Sequence, residues 1–228
     1  VPDRYYNPEK KISDSGNACK NKKITVELRY DFIDENGQIA HSEHRTEYND
    51  GSKKIIQSYR VNGKDKFRKP DNFTLYPYNL HKIKKCQNII IVEGPKKADT
   101  IDKLIEKSNL NNWVVTTNAG GAGKWLSSYN QWFNITHKIY LIPDNDAKGY
   151  EHVVQVLNEL SKIVSDIRIV VLPERYIKKA GKEKTKDISD FIEFDDWTIE
   201  DIISHCKLSE TGIPETIKEK LKSSKGAL

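Results

Sequence analysis

Three carboxylates in two short motifs have the types and spacing to do chemistry. The first motif is the apolar run Ile89-Ile90-Ile91-Val92, which ends in Glu93-Gly94. The second is the apolar run Ile139-Tyr140-Leu141-Ile142-Pro143, which ends in Asp144-Asn145-Asp146 and is followed by Ala147-Lys148-Gly149. Each run has the length and β-branched content of a buried parallel strand, and a helix-like segment follows each. Ligands of open α/β sheets gather at the carboxyl ends of strands, so Glu93, Asp144 and Asp146 are expected to meet in one crevice. Carboxylates that close repel one another unless a hard cation lies between them, and an all-oxygen donor set suits Mg2+ or Mn2+.

The elements that must position these groups follow from the pattern on either side. Ile24 to Ile33 alternates apolar and polar as a half-buried strand does, Asp34-Glu35-Asn36-Gly37 turns the chain, and Gln38 to Tyr48 alternates more weakly. Asn49-Asp50-Gly51 turns it again before a third strand over Lys54 to Val61. From Asn88 onward strands and helices alternate. Strands are expected over 88–92, 113–117, 138–142 and 167–172, and helices over 96–107, 125–133 and 149–163. Such alternation specifies a parallel sheet covered on both faces. A last helical stretch is expected over about 198–222. The glycines beside the acidic motifs, Gly94 and Gly149, are expected to let backbone and phosphate approach closely.

Composition narrows the class of molecule. With 36% hydrophobic and 31% charged residues the core is modest and the surface heavily charged. The net charge of +5 is small, but basic residues crowd into Lys53 to Lys69, ahead of the carboxylates. A basic face beside an acidic metal site fits a polyanionic substrate. Cys19, Cys86 and Cys206 form no CxxC pair, so neither a zinc knuckle nor a disulfide framework is expected, and a reducing compartment is. No apolar run approaches the length of a membrane span. The chain has no methionine and opens on Val1, which is read as a piece of a longer protein. His41 and His44 are expected at the surface. Thr117 to Trp125 invites a P-loop reading, but the first glycine is missing and Trp125 stands where Ser or Thr must bind magnesium.

The strand-terminal Glu93-Gly94 and the later Asp144-Asn145-Asp146-Ala147-Lys148-Gly149 resemble the TOPRIM domain shared by bacterial-type primases, topoisomerases and some nucleases. The resemblance runs from about Asn88 to Glu193 and is nearest to phage and plasmid primases, which have a similar glycine turn followed by Lys-Trp. It implies an α/β fold, a TOPRIM-like parallel sheet flanked by helices, preceded by a small antiparallel β-rich basic subdomain. The expected divisions are 1–22 as an irregular entry, 23–86 as the basic unit, 87–196 as the catalytic domain and 197–228 as a helical extension.

The resemblance also assigns roles. Glu93, Asp144 and Asp146 would be catalytic, and Asp187 and Asp190 of Lys186-Asp187-Ile188-Ser189-Asp190 would add metal ligands. Many primases carry an aspartate four residues beyond the glutamate, where this chain has Lys97; Asp99 is the nearest substitute. Lys53, Lys54, Arg60, Lys64, Lys66 and Arg68, interleaved with Tyr59 and Phe67, would hold a single-stranded DNA template, and Lys124 would meet a nucleotide phosphate. The implied activity is synthesis of short RNA primers from NTPs with Mg2+ or Mn2+, in the cytoplasm at a replication fork, beside a replicative helicase. A TOPRIM nuclease and a non-catalytic nucleic-acid-binding module are the alternatives that share these residues.

Overall fold

The computed structural model describes residues 22–173 and 187–208 and, beyond these, positions 215, 218, 219 and 222. Cys19, nearly all of the expected N-terminal entry and the far part of the expected C-terminal helix lie outside the described residues. Four strands come first: β1 (Ile24–Ile33), β2 (Ile39–Tyr48), β3 (Lys53–Val61) and β4 (Lys64–Lys66). They form an antiparallel sheet in that order. The Asp34 carboxylate accepts from the Asn36 and Gln38 amides and fixes the first turn at Gly37, where φ is 80°.

A short helix, α1 (Leu80–Ile83), leads into the second sheet. Its strands are β5 (Asn88–Ile91), β6 (Trp113–Thr116), β7 (Lys138–Leu141), β8 (Asp166–Val170) and β9 (Cys206–Leu208), in the order β6-β5-β7-β8-β9. The first four are parallel and β9 is antiparallel to β8. Helices α2 (Pro95–Lys107), α3 (Ala147–Leu160), α4 (Ile188–Phe194) and α5 (Ile199–Ser204) are interleaved with them. Alternate residues of each strand serve two separate cores. Ile90, Val115, Tyr140 and Val170 pack with Ala98 and Ile101 of α2, Phe191 of α4 and Ile202 of α5. Ile89, Val114, Ile139 and Ile169 pack with Val153, Val156 and Leu160 of α3. The sheet is therefore covered on both faces, which is why its strands read as unbroken apolar runs.

The two sheets are joined through Tyr78. Its ring meets Tyr30 and Phe32 of β1 edge-on, and its hydroxyl donates to Asp99 of α2 at 2.8 Å. Its backbone, with the Asn79 side chain, also covers the open edge of β6: Tyr78 N donates to Thr117 O at 2.8 Å and Asn79 Nδ2 to Val115 O at 3.0 Å. An exposed strand edge is thereby removed.

Three details differ from the sequence reading. The helix expected over 125–133 is a short 3-10 helix, Ser127–Trp132. The helical stretch expected from 198 is interrupted: α5 ends at Ser204, Cys206–Leu208 turns back as strand β9, and positions 215, 218, 219 and 222 are helical again. His41, expected at the surface, is 1% exposed, stacked on Phe32 at 4.2 Å, and burial pushes its pKa down to about 4. No helix among the described residues is long and apolar enough to cross a membrane.

Candidate active site

Strands β5 and β7 are parallel neighbours with Ile91 opposite Leu141, and Ile142 N still donates to Ile91 O at 3.0 Å beyond the paired strands. Glu93 and Asp144 therefore leave the sheet side by side at its carboxyl edge. Gly94, in extended conformation, starts α2, and Pro95 takes the first helical position, where a missing N–H costs nothing. Helical side chains lean toward the N-terminus, so the first turn of α2 sends Lys97 back over the strand ends.

The Lys97 ammonium lies among the acids. It contacts both carboxylate oxygens of Asp144 and stands 3.5 Å from Asp187 Oδ2. These side chains are largely buried, with Lys97 and Asp144 each 16% exposed and Asp187 24%. Burial pulls the Lys97 pKa down, but the charges of Asp144, Asp187 and Glu93 more than offset it, and the ammonium holds its proton above the ordinary lysine range. Burial, with the charges of Glu93 and Asp187 and against the pull of Lys97, pushes Asp144 up to about 7. An ion pair would ordinarily lower its carboxylate. Here the attraction of Lys97 outweighs the repulsion of Glu93 and Asp187, so it is burial that holds a proton on Asp144.

The other two expected acids are engaged as helix caps. Asp146 is the N-cap of α3, its Oδ1 accepting from Gly149 N at 2.9 Å, and it is exposed. Asp190 is 3% exposed and accepts from Asp187 N at 3.4 Å in the capping box of α4. Asp187 does both: Oδ1 caps α4 through Ser189 N at 2.9 Å while Oδ2 faces Lys97. Of the five expected ligands, Asp144 and Asp187 contact Lys97 and Glu93 acts on it by its charge, whereas Asp146 and Asp190 serve their own helices. Asp99, the nearest substitute acid, accepts from the Tyr78 hydroxyl through Oδ1 at 2.8 Å.

Among the described residues no group of three or more His, Cys, Asp or Glu side chains is disposed to hold a metal ion. In kind the gathered donors fit Mg2+ or Mn2+, being all carboxylate oxygens. A stand-in cation, the Lys97 ammonium, also sits among them. The acids thus match such an ion in donor type but not in the arrangement they adopt.

Gly149 makes the close backbone approach that the sequence suggests. A Cβ there would lie 2.5 Å from Asp144 O and 2.6 Å from Asp144 N, so α3 packs directly on the backbone that carries the acid. At Gly94 nothing lies within 4 Å of such a Cβ, and the space is open.

The glycine loop closes another side of the crevice. Gly120, Gly121 and Gly123 have φ of 83°, 77° and 74°, a region that L side chains rarely adopt. Asn118 Nδ2 donates to Gly121 O at 2.8 Å, and Gly123 N donates to Nδ1 of the buried His152 at 3.1 Å. Burial pushes His152 down, partly offset by the Glu93 charge, which links the loop to the acidic centre. Trp125 anchors the loop among Tyr129 and Phe133, while Lys124 is exposed on it.

The inner face of the first sheet meets this loop. Gly120 backbone hydrogen-bonds the Glu43 carboxylate, whose pKa burial nevertheless pushes up. Lys96 reaches Glu47 of β2 at 2.9 Å, and Glu47 also accepts from Arg45 Nε at 2.7 Å.

The expected basic stripe is divided by the strand period. The register sets Lys53 opposite Glu47, Lys66 opposite Tyr59 and Lys64 opposite Val61, so these three lysines share the inner face. Lys54 and Arg60 belong to the outer face, where Arg60 pairs with Asp65 at 2.8 Å and Asp65 pairs again with Arg29 at 3.1 Å. Arg68 follows β4 and is exposed. Of the two interleaved aromatics, Tyr59 is buried against Phe73, whereas Phe67 is 54% exposed and open to a base. Sequence reasoning missed Glu47 and Lys96, and took Lys97 only as a departure. Its signal was a basic residue in the first turn of the helix directly after Glu93.

Comparison of the chain with protein-family models, with curated proteins and with solved structures finds no match.

Proposed function

We propose that this chain is a primase-type nucleotidyltransferase that joins ribonucleotides on a single-stranded DNA template. The observation that supports it most is that Asp144, at the carboxyl end of β7, and Asp187, at the start of α4, meet on the Lys97 ammonium, with the charge of Glu93 from the adjacent strand end acting on the same group. The inner-face lysines Lys53, Lys64 and Lys66, with Lys96 at the start of α2, line a route for phosphates toward that centre. Mg2+ or Mn2+ is the cofactor of this reading and would supply neutralisation of charge on the transferring phosphoryl group.

The residues of the chain do the rest. Glu93 takes the proton of the attacking 3′ hydroxyl, and Asp144 and Asp187 keep the crevice electronegative enough to hold a cation. Asp146 and Asp190 fix the helices that carry the site. Lys124, exposed on the glycine loop, meets phosphate of the incoming NTP. In this reading the partners are single-stranded DNA, NTPs and a replicative helicase, at the replication fork in the cytoplasm.

The test is incubation of the protein with mixed-sequence single-stranded DNA, Mg2+ or Mn2+ and labelled NTPs. Short labelled oligomers that depend on template and fall about 100-fold or more in Glu93→Gln are expected. Template degradation without synthesis would make it a nuclease, and binding without either reaction a non-catalytic module; both outcomes overturn the proposal.

A further inference from the structure

Two polar atoms behind the glycine loop, Nε2 of His152 and Oε1 of Gln155, are buried without a close hydrogen-bond partner. Both side chains stand on α3, three residues apart, and are neighbours on one helix face. Each grips the loop by its other end. His152 Nδ1 accepts from Gly123 N at 3.1 Å, and Gln155 Nε2 donates to Trp125 O at 3.3 Å. The two remaining atoms are donor and acceptor for each other, and the Gln155 side chain acts on the His152 ring as a hydrogen-bond partner. We infer that His152 and Gln155 form a clamp, a circuit of hydrogen bonds running Gly123–His152–Gln155–Trp125, which fixes Lys124 in place. Both are positioning residues. That Lys124 then meets the phosphate of an NTP rests on the nucleotidyl-transfer reading.

The circuit closes with one tautomer only. A ring nitrogen that accepts from Gly123 carries no proton, so the proton of the neutral imidazole is on Nε2 and is directed to Gln155 Oε1. Burial holds the ring neutral against the charge of Glu93. The other tautomer would set two N–H groups against each other at Gly123. Lys124 lies between the two gripped backbone groups and is exposed, and its stem crosses Gly120, where an added Cβ would be 3.5 Å from Lys124 Cγ. The same helix face also reaches the acid, because Gly149, three residues before His152, packs on the Asp144 backbone. Positions 149, 152 and 155 of α3 thus tie Lys124 to Asp144, and the loop shifts relative to the acid only when the clamp opens.

Two measurements test this. Nitrogen-15 spectra of the imidazoles and hydrogen exchange of the loop amides are recorded on the full chain without substrate. Wild-type His152 is expected to show a bare Nδ1 and a protonated Nε2, and its Gly123 amide to exchange at least about tenfold slower than in His152→Gln. A proton on Nδ1, or equal exchange in the two proteins, overturns the clamp; the wild-type spectra decide it should a variant fail to fold. Separately, KM for ATP in primer synthesis is compared among variants. Lys124→Ala, Gln155→Leu and His152→Gln are each expected to raise it at least about fivefold, and His152→Asn, whose Oδ1 takes the place of Nδ1, no more than about twofold. Adding Gln155→Leu to Lys124→Ala is expected to raise KM no further, because the clamp acts through that lysine. Effects that multiply, or His152→Asn no better than His152→Gln, overturn the positioning role. An intact circuit with no primer synthesis would refute the primase reading and leave the clamp standing. Primers made by a protein whose His152 Nδ1 carries the proton would do the reverse.

Discussion

Replacing Gly149 with alanine separates two opposite effects, and the geometry says which wins. Helix propensity alone favours the change, since Gly inside a helix is worse than Ala by about 0.5–1 kcal/mol. The new methyl group would lie 2.5 Å from Asp144 O, 2.6 Å from Asp144 N and 2.8 Å from Asp144 Cβ. Backbone atoms cannot rotate away, so α3 or the end of β7 must move, and such overpacking costs about 1–3 kcal/mol. At the middle of these two ranges the net destabilisation is about 1.3 kcal/mol, or a melting temperature about 3–5 °C lower for a chain of this size. The same movement pulls the Asp144 carboxylate off Lys97, so nucleotide incorporation falls by more than stability explains. The assay is thermal unfolding together with label incorporation, with Gly94→Ser as the partner variant. Gly94 has extended backbone and open space, and serine is a better N-cap, so Gly94→Ser is expected within about 0.5 kcal/mol of wild type. A Gly149→Ala protein as stable as wild type, or more so, would refute the argument.

Other perturbations follow from the same geometry. Asp144 is held up at about 7, far above an unfolded aspartate, so the folded state binds its proton more tightly. Its contribution to stability is full below about pH 4 and is lost as pH rises through about 7; metal-free wild type is expected to lose melting temperature over that range relative to Asp144→Asn, and parallel pH profiles would contradict this. Tyr78→Ala is expected to cost about 3–5 kcal/mol in denaturant unfolding, because the ring joins both sheets, whereas Tyr78→Phe keeps the ring, loses the Asp99 hydrogen bond and costs about 1 kcal/mol. Lys66→Ala and Arg68→Ala are each expected to weaken single-stranded DNA binding and to lower the salt slope by about 0.7, whereas Arg60→Ala, already paired with Asp65, changes it less. Equal effects of all three in a salt titration would dismiss the divided face.

Much of this arrangement was legible in the chain because it rests on periodicity. The alternation of Ile24 to Ile33 and the unbroken run Ile89 to Val92 report one-sided and two-sided burial directly. Strand β9 was hidden, because Cys206-Lys207-Leu208 has no pattern of its own and pairs with β8 across a long stretch of chain. The 3-10 helix misled for a specific reason: Trp125, Tyr129 and Phe133 recur at helical spacing, yet Trp125 and Phe133 lie outside the element they seemed to define. His41 sits in a polar-looking strand, and only the register, which sets it between Phe32 and Tyr59, explains its burial.

The site was legible in its strand-end acids and less so in their division of labour. Glu93 and Asp144 meet because β5 and β7 are neighbours, as alternation and strand-end position require. An aspartate one residue before a helix is an N-cap by its chemistry, and Asp146 and Asp187 both serve as one. The basic residues of β3 were visible as a cluster, but which of them share a face depends on pairing with β2 and β4. Lys97 was the least legible, because its position matters only once α4 brings Asp187 to the same place.

The central claim is that Glu93, Asp144 and Asp187 act as one centre of nucleotidyl transfer. Its most direct test is template-dependent NTP incorporation by Glu93→Gln, Asp144→Asn, Asp187→Asn and the double variant Glu93→Gln/Asp144→Asn. Asp166→Asn, at the opposite end of β8 and held by Arg168 at 2.9 Å, is the control. Each acidic single variant is expected to lose about 100-fold or more, the double variant to lose no more than the worse single, and the control to stay within about twofold of wild type. Losses that multiply independently, or primers still made by any of the three single variants at the wild-type rate, would contradict the account.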